Sequence, residues 1–94
     1  MNKNAYLAVL ASIVADYRTK PYSFWLEFLS GEPIVLEIEA QDGTKCQVEI
    51  NASWDDRPNG DIRVGFSIDD GGWRAFVPVT NSFIITPDET FVGE

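Results

Sequence analysis

Beyond Pro33 the chain alternates. Ile34, Leu36, Ile38 and Ala40 are apolar at every second place, with Val35, Glu37, Glu39 and Gln41 between them. The same period runs through Cys46, Val48, Ile50 and Ala52, through Ile62, Val64, Phe66 and Ile68, and through Trp73, Ala75, Val77 and Val79. Successive side chains of a strand point to opposite faces, so each run predicts a strand with one apolar face. Four such strands predict an antiparallel sheet covered on one side.

The pattern also predicts register, because a slip of one residue would turn every apolar side chain outward. Pairing Ile38 with Cys46 and Leu36 with Val48 keeps apolar opposite apolar. It leaves Gln41, Asp42 and Gly43 as a hairpin loop whose last place wants a left-handed residue, and Gly43 stands there. The stretch IDDGGWRAF (68–76) raises a choice between an acidic catalytic loop, a metal loop and a tight turn. Pairing Ile68 with Trp73, Phe66 with Ala75 and Val64 with Val77 makes Asp69, Asp70, Gly71 and Gly72 a four-residue turn. That register sets Phe76 across from Gly65 on the outer face, an aromatic over a gap in the sheet. Pro78 cannot donate to a ladder, which predicts an edge or a bulge there. The tail predicts a turn at Asn81-Ser82, a short strand over 83–86 and a turn at Pro87-Asp88-Glu89, with Phe91 and Val92 folding back.

Ahead of Pro33 the period lengthens. Tyr6, Leu7, Leu10, Ile13, Val14 and Tyr17 recur at helical spacing, which predicts a helix over 3–19 with Asn4 as N-cap and Pro21 as stop. Leu7, Leu10, Val14 and Tyr17 are its expected core residues. The far side, with Ala5, Ala8, Val9, Ala11 and Ala15, is weakly polar and fit to touch another element or chain. Residues 22–33 fit a strand (Tyr22, Phe24, Leu26 and Phe28 alternating) or a short helix capped by Ser23 and closed by Gly31. The Ser and Gly punctuation favours the helix. The expected fold is therefore α+β: an N-terminal helix and a short second helix on one face of a four- to five-stranded antiparallel meander, one domain over 1–94.

Composition changes this picture in three ways. First, the 94 residues carry a net charge of −8. Lys3, Arg18 and Lys20 outweigh Asp16 in residues 1–20 (net +2), whereas four cations face fourteen carboxylates in residues 21–94 (net −10). Such a surface repels nucleic acid and anionic lipid and attracts basic proteins, although the same charge also serves solubility. Second, Cys46 is the single cysteine, so no internal disulfide exists, and its apolar neighbours predict a buried thiol. Third, histidine is absent, which removes Ser-His-Asp and Cys-His catalysis and histidine metal ligands. The apolar run AYLAVLASIVA (5–15) has the look of a leader core, but its helical spacing favours a folded helix and a cytoplasmic protein, and it is too short to span a bilayer.

The candidate chemistry lies in loops. Up-and-down connections put Asp42, Asp69 and Asp70 at one end of the sheet beside Trp73. They put Asp55, Asp56 and Asp61 of SWDDRPNGD (53–61) at the other end beside Trp54, with Glu32 nearby. A calcium-loop pattern started at Asp55 fails, because its third place is Arg57 and its twelfth is Phe66. Fifteen carboxylates make some close pair inevitable, so a paired-carboxylate catalyst is a weak reading. Arg63, Arg74 and Phe76 do not make a basic groove beside Glu37, Glu39 and Glu49. Tryptophan and arginine on acidic loops suit protein recognition better. The expectation is thus a non-enzymatic module without metal or cofactor that binds a basic protein. Its site residues would be Trp54, Asp55, Asp56, Asp61, Asp69 and Asp70. In size and composition, without any diagnostic motif, it resembles small acidic inhibitors, immunity proteins included. The alternative is a self-associating accessory subunit, a homodimer.

Overall fold

The computed structural model describes residues 3–39, 43, 45–69 and 79–92. Helices α1 (Lys3–Tyr17) and α2 (Tyr22–Leu29) precede β1 (Ile34–Glu39), β2 (Lys45–Trp54), β3 (Ile62–Asp69) and β4 (Val79–Ile85). The strands form one antiparallel sheet in chain order, β1-β2-β3-β4. α1 packs on β3 and β4, and α2 packs on β2. This is the α+β meander that the two periods predict, with four strands.

The first hairpin has the expected register: Ile38 lies opposite Cys46 and Leu36 opposite Val48. Gly43 takes φ +85°, a value that costs any residue with a Cβ about 1–2 kcal/mol. The third hairpin differs from expectation. Ile68 pairs with Val79, Phe66 with Asn81, Val64 with Phe83 and Ile62 with Ile85. Since β3 has β2 on its other side, Ile68, Phe66 and Val64 do not take the partners expected for them, and the expected DDGG turn itself lies outside the described residues. Gly65 faces Ser82 rather than Phe76, and Asn81-Ser82 lies within β4 instead of forming a turn. Residues 83–85 of the predicted 83–86 strand are the second half of β4, and Thr86 lies beyond its end. Two features of the chain hide this pairing of β3 with β4. A period of two cannot choose between partner segments of equal parity. The polar Asn81, at an inward parity between Val79 and Phe83, disguised β4. Residues 70–78, with Asp70, Trp73, Phe76 and Pro78, lie outside the described residues, as does Asp42.

The core is built from the inward positions. β2 gives Cys46, Val48 and Ile50; β3 gives Ile62, Val64, Phe66 and Ile68; β4 gives Phe83 and Ile85. Against them α1 sets Tyr6, Leu10 and Val14. Tyr6 takes the place expected for Leu7, which is 43% exposed. The buried stripe runs along the i, i+4 row of residues 6, 10 and 14, and Leu7 lies a step round the helix from it. α1 begins at Lys3, so Asn4 lies inside the first turn rather than at the cap, and the helix ends at Tyr17. Cys46 is buried as expected, its thiol donating to the Ile38 carbonyl at 3.4 Å.

The centre of the core is Trp25, fully buried on α2. Its ring meets Phe24 edge-on at 4.8 Å, Phe28 at 5.3 Å, Phe83 at 5.9 Å and Tyr17 at 6.0 Å. Its indole N–H finds no acceptor among the described residues. Such a group costs about 1–3 kcal/mol, which the packing of a large buried ring offsets.

α2 starts on Pro21, extended at φ −73° and ψ 164°, with no side-chain cap of its own; Ser23 is inside the first turn. The orphan donor is satisfied from far away. Tyr22 N–H donates to Glu89 Oε2 at 2.8 Å, a carboxylate where the helix dipole favours one. Glu89 belongs to the predicted 87–89 turn and sits at φ +68°. The tail folds back as expected, with Val92 N–H on the Ile84 carbonyl at 3.0 Å and Phe91 bridging Ile85.

Candidate functional site

The end of β2 and the β2–β3 connection carry four of the six predicted site residues. The closure of that connection is local. Asp55 N–H donates to the Asp61 carbonyl at 2.9 Å and Gly60 N–H to the Arg57 carbonyl at 3.2 Å. Between them Pro58 suits the second place of a turn, and Asn59 takes φ +66°, a left-handed value asparagine tolerates. Gly60 suits the tight space, since a Cβ there would stand 3.2 Å from the Arg57 carbonyl oxygen and press on it.

The side chains of this loop do not act alike. Trp54 pairs opposite Ile62 and packs half-buried against the core, so it is a partial anchor at the rim. Asp55 is engaged: Arg63 Nη2 and Nε both donate to its Oδ1, at 2.9 and 3.1 Å. That exchanges one of the loop's negative charges for a local pair. Asp56 is exposed and Asp61 half-exposed, so they carry the loop's outward charge. The loop is also tied to α2, because Tyr22 Oη donates to the Gly60 carbonyl at 2.6 Å. Tyr22 thus joins the helix start to two loops, a role that sequence pattern gave no sign of.

Asp69 ends β3 opposite Gln47, at the far end of the sheet from this loop, and Asp70 lies outside the described residues. The structure therefore brings Trp54, Asp55, Asp56 and Asp61 together and sets Asp69 apart, as the alternating connections predict.

Two hollows mark the described surface. A shallow one of about 480 Å³ lies on the outer sheet face, lined by Asn51, Gly65, Ser67, Thr80, Asn81 and Ser82. It exists because Gly65 has no side chain; Asn51 Oδ1 lies 3.0 Å from where a Cβ would be. Its lining holds hydroxyls, amides and part of Phe66, and no titratable group. The other, about 260 Å³, lies between Arg18, Lys20, Ile85, Glu89 and Phe91. There the Arg18 guanidinium sits 4.2 Å over the Phe91 ring.

Beside that second hollow lies a closely bonded polar group. Thr86 Oγ1 and Thr90 Oγ1 both donate to Asp88 Oδ1, the latter at 2.9 Å. Thr90 N–H adds a longer bond at 3.3 Å. The Thr86 hydroxyl first, then the Thr90 hydroxyl and amide, hold the Asp88 carboxyl below the usual aspartate range. No charged or polar residue is buried among the described ones. Among the described residues, no three Asp, Glu or Cys side chains are grouped to hold a metal ion, and no helix is long and apolar enough to cross a membrane.

Comparison of the chain with protein-family models, curated proteins and solved structures finds no match.

Proposed function

We propose that this protein is a small acidic, non-enzymatic binding module for a basic protein. The observation that carries the reading is the placement of charge. The chain has net charge −8, and no carboxylate among the described side chains is buried. Charge held in water steers an oppositely charged partner over a Debye length of about 10 Å and adds little to internal stability. The hairpin loop supplies Asp56 and Asp61 for steering and the rim of Trp54 for contact. Asp55, held by Arg63, contributes less.

Immobilised protein exposed to lysate from its source cells should retain basic proteins that elute as salt rises from about 0.05 to 0.5 M. With the retained protein in hand, D56N and D61N together should slow association several-fold at low salt and flatten its salt dependence. D55N should do less, since it also releases the Arg63 charge. Unchanged association in the double variant would remove the loop from the interface. Retention of nothing basic would overturn the reading. The second reading, a self-associating accessory subunit, draws on the exposure of Leu7 and Leu26. A salt-insensitive homodimer by solution mass would favour it.

A further inference from the structure

Resting on that reading, we infer that the β1 edge is the docking edge, and that it takes an extended segment of the basic partner as a fifth strand. The segment's residues would alternate between apolar and cationic.

Three observations lead there. The first is the edge itself. β1 pairs with β2 on one side, and no described element pairs with the other. The opposite edge of the sheet is partly closed, because Phe91 and Val92 bond to the end of β4. A strand with a free row of N–H and C=O groups is a template for strand addition unless something blunts it. β1 contains no proline or lysine, and none of its described residues is at positive φ.

The second is coverage. Ile34, Leu36 and Ile38 face inward yet are only half-buried, while their ladder partners Ile50, Val48 and Cys46 are buried. The helices pack on β2, β3 and β4 and leave β1 at the margin. An added strand would lay its own apolar residues beside this strip and complete it.

The third is charge, which selects the occupant. The outward positions of β1 are Val35, Glu37 and Glu39, all exposed. Glu37 lies opposite Gln47 and Val35 opposite Glu49, so a cation stands across from Glu39 alone, in Lys45. A second copy of β1 would bring Glu37 and Glu39 beside their own equivalents, and like charges across a ladder are destabilising. A strand with lysine or arginine at those places removes the conflict.

The probe is an octapeptide alternating lysine and valine. One control has the same composition in two blocks; another has the alternating sequence N-methylated at every second amide. Binding is read by backbone NMR of the full chain. The alternating peptide should move and protect the amides of residues 34–39, and both controls should bind roughly tenfold more weakly or worse. E37K/E39K should lose that binding by about tenfold and gain binding to an alternating glutamate–valine octapeptide. E37Q/E39Q, with less change of charge, should fall between. Equal binding of the alternating and block peptides, a footprint centred on 55–61, or a wild-type dimer through β1 would each overturn the edge inference. If basic proteins are still captured in those cases, the functional reading stands; if none is, that reading fails on its own test.

Discussion

β1 and β3 carry the same alternation of apolar and polar residues, and the fold treats them differently. On β3, Ile62, Val64 and Ile68 are fully buried and Phe66 nearly so. On β1, Ile34, Leu36 and Ile38 stay half-exposed. The difference is the layer above. α1 covers β3 and β4, α2 covers β2, and nothing described covers β1 to the same extent. Alternation reports which way a side chain points; what lies over it is decided by elements elsewhere in the chain. The largest expected effect tests the cover. W25A removes the ring where α2, Phe83 and Tyr17 meet, and should cost about 3–5 kcal/mol in chemical denaturation, a large share of the roughly 5–15 kcal/mol of a small domain. A loss under about 1 kcal/mol would mean that α2 is not the lid of this core.

A cleaner test uses one substitution at two neighbouring places. Ile34 and Ile50 face each other across the β1–β2 ladder on the same side of the sheet. Ile50 is fully buried and Ile34 is not. I50A should cost about 2–5 kcal/mol, and I34A about 1 kcal/mol, the smaller transfer of a side chain already partly wet. Equal losses would show β1 to be as well covered as β2. The gap between the two should narrow once a strand occupies the β1 edge.

Much of this fold was legible in the chain. The sheet, the first hairpin with Gly43, both helices and the C-terminal fold-back follow from period, punctuation and proline. What was not legible has identifiable causes. The partner of β3 is hidden because 73–79 and 79–85 share a parity and the second carries Asn81 at an inward place. Leu7 and Tyr6 exchanged roles because both fit a helical period and only the position of the sheet selects the stripe. Trp25 stands outside the alternation of Tyr22, Phe24, Leu26 and Phe28 that would mark core, in a segment that only its Ser and Gly punctuation tips toward helix. At the candidate site the loop residues were foreseen as a group, whereas the Arg63–Asp55 pair and the Tyr22 tether are contacts of tertiary structure with no local signature.

The tether separates the covered half from the edge in a second way, because it fixes where α2 begins. Y22F deletes the bond from Tyr22 Oη to the Gly60 carbonyl and should cost about 1 kcal/mol. It should also raise hydrogen exchange at Asp55 and Gly60, whose amides close the same loop. No change in either amide would mean the loop holds its shape without α2.

The smallest expected effect lies at the other end of the same helix start, in the turn that presents Glu89 to Tyr22. Asp88 accepts from Thr86 and Thr90, and these bonds favour its charged form, so its folded pKa is lowered. For a carboxyl lowered on folding, the linked stabilisation is complete above the unfolded value of about 3.9 and is lost as pH falls through the folded value. The turn should therefore be insensitive to pH near neutrality and loosen only in acid. A carbon-detected NMR titration should place the Asp88 midpoint below the ordinary aspartate value, and T86V/T90V should bring it back up. A midpoint already ordinary in the wild type would remove the threonines from the account. D88N isolates the consequence at neutral pH, where Glu89 stays charged. If the threonine–aspartate turn is what aims Glu89 at the start of α2, the Tyr22 amide should lose protection in D88N while Ile50 and Ile62 keep theirs, because a fully exposed carboxylate can loosen one end of a helix without reaching the covered core.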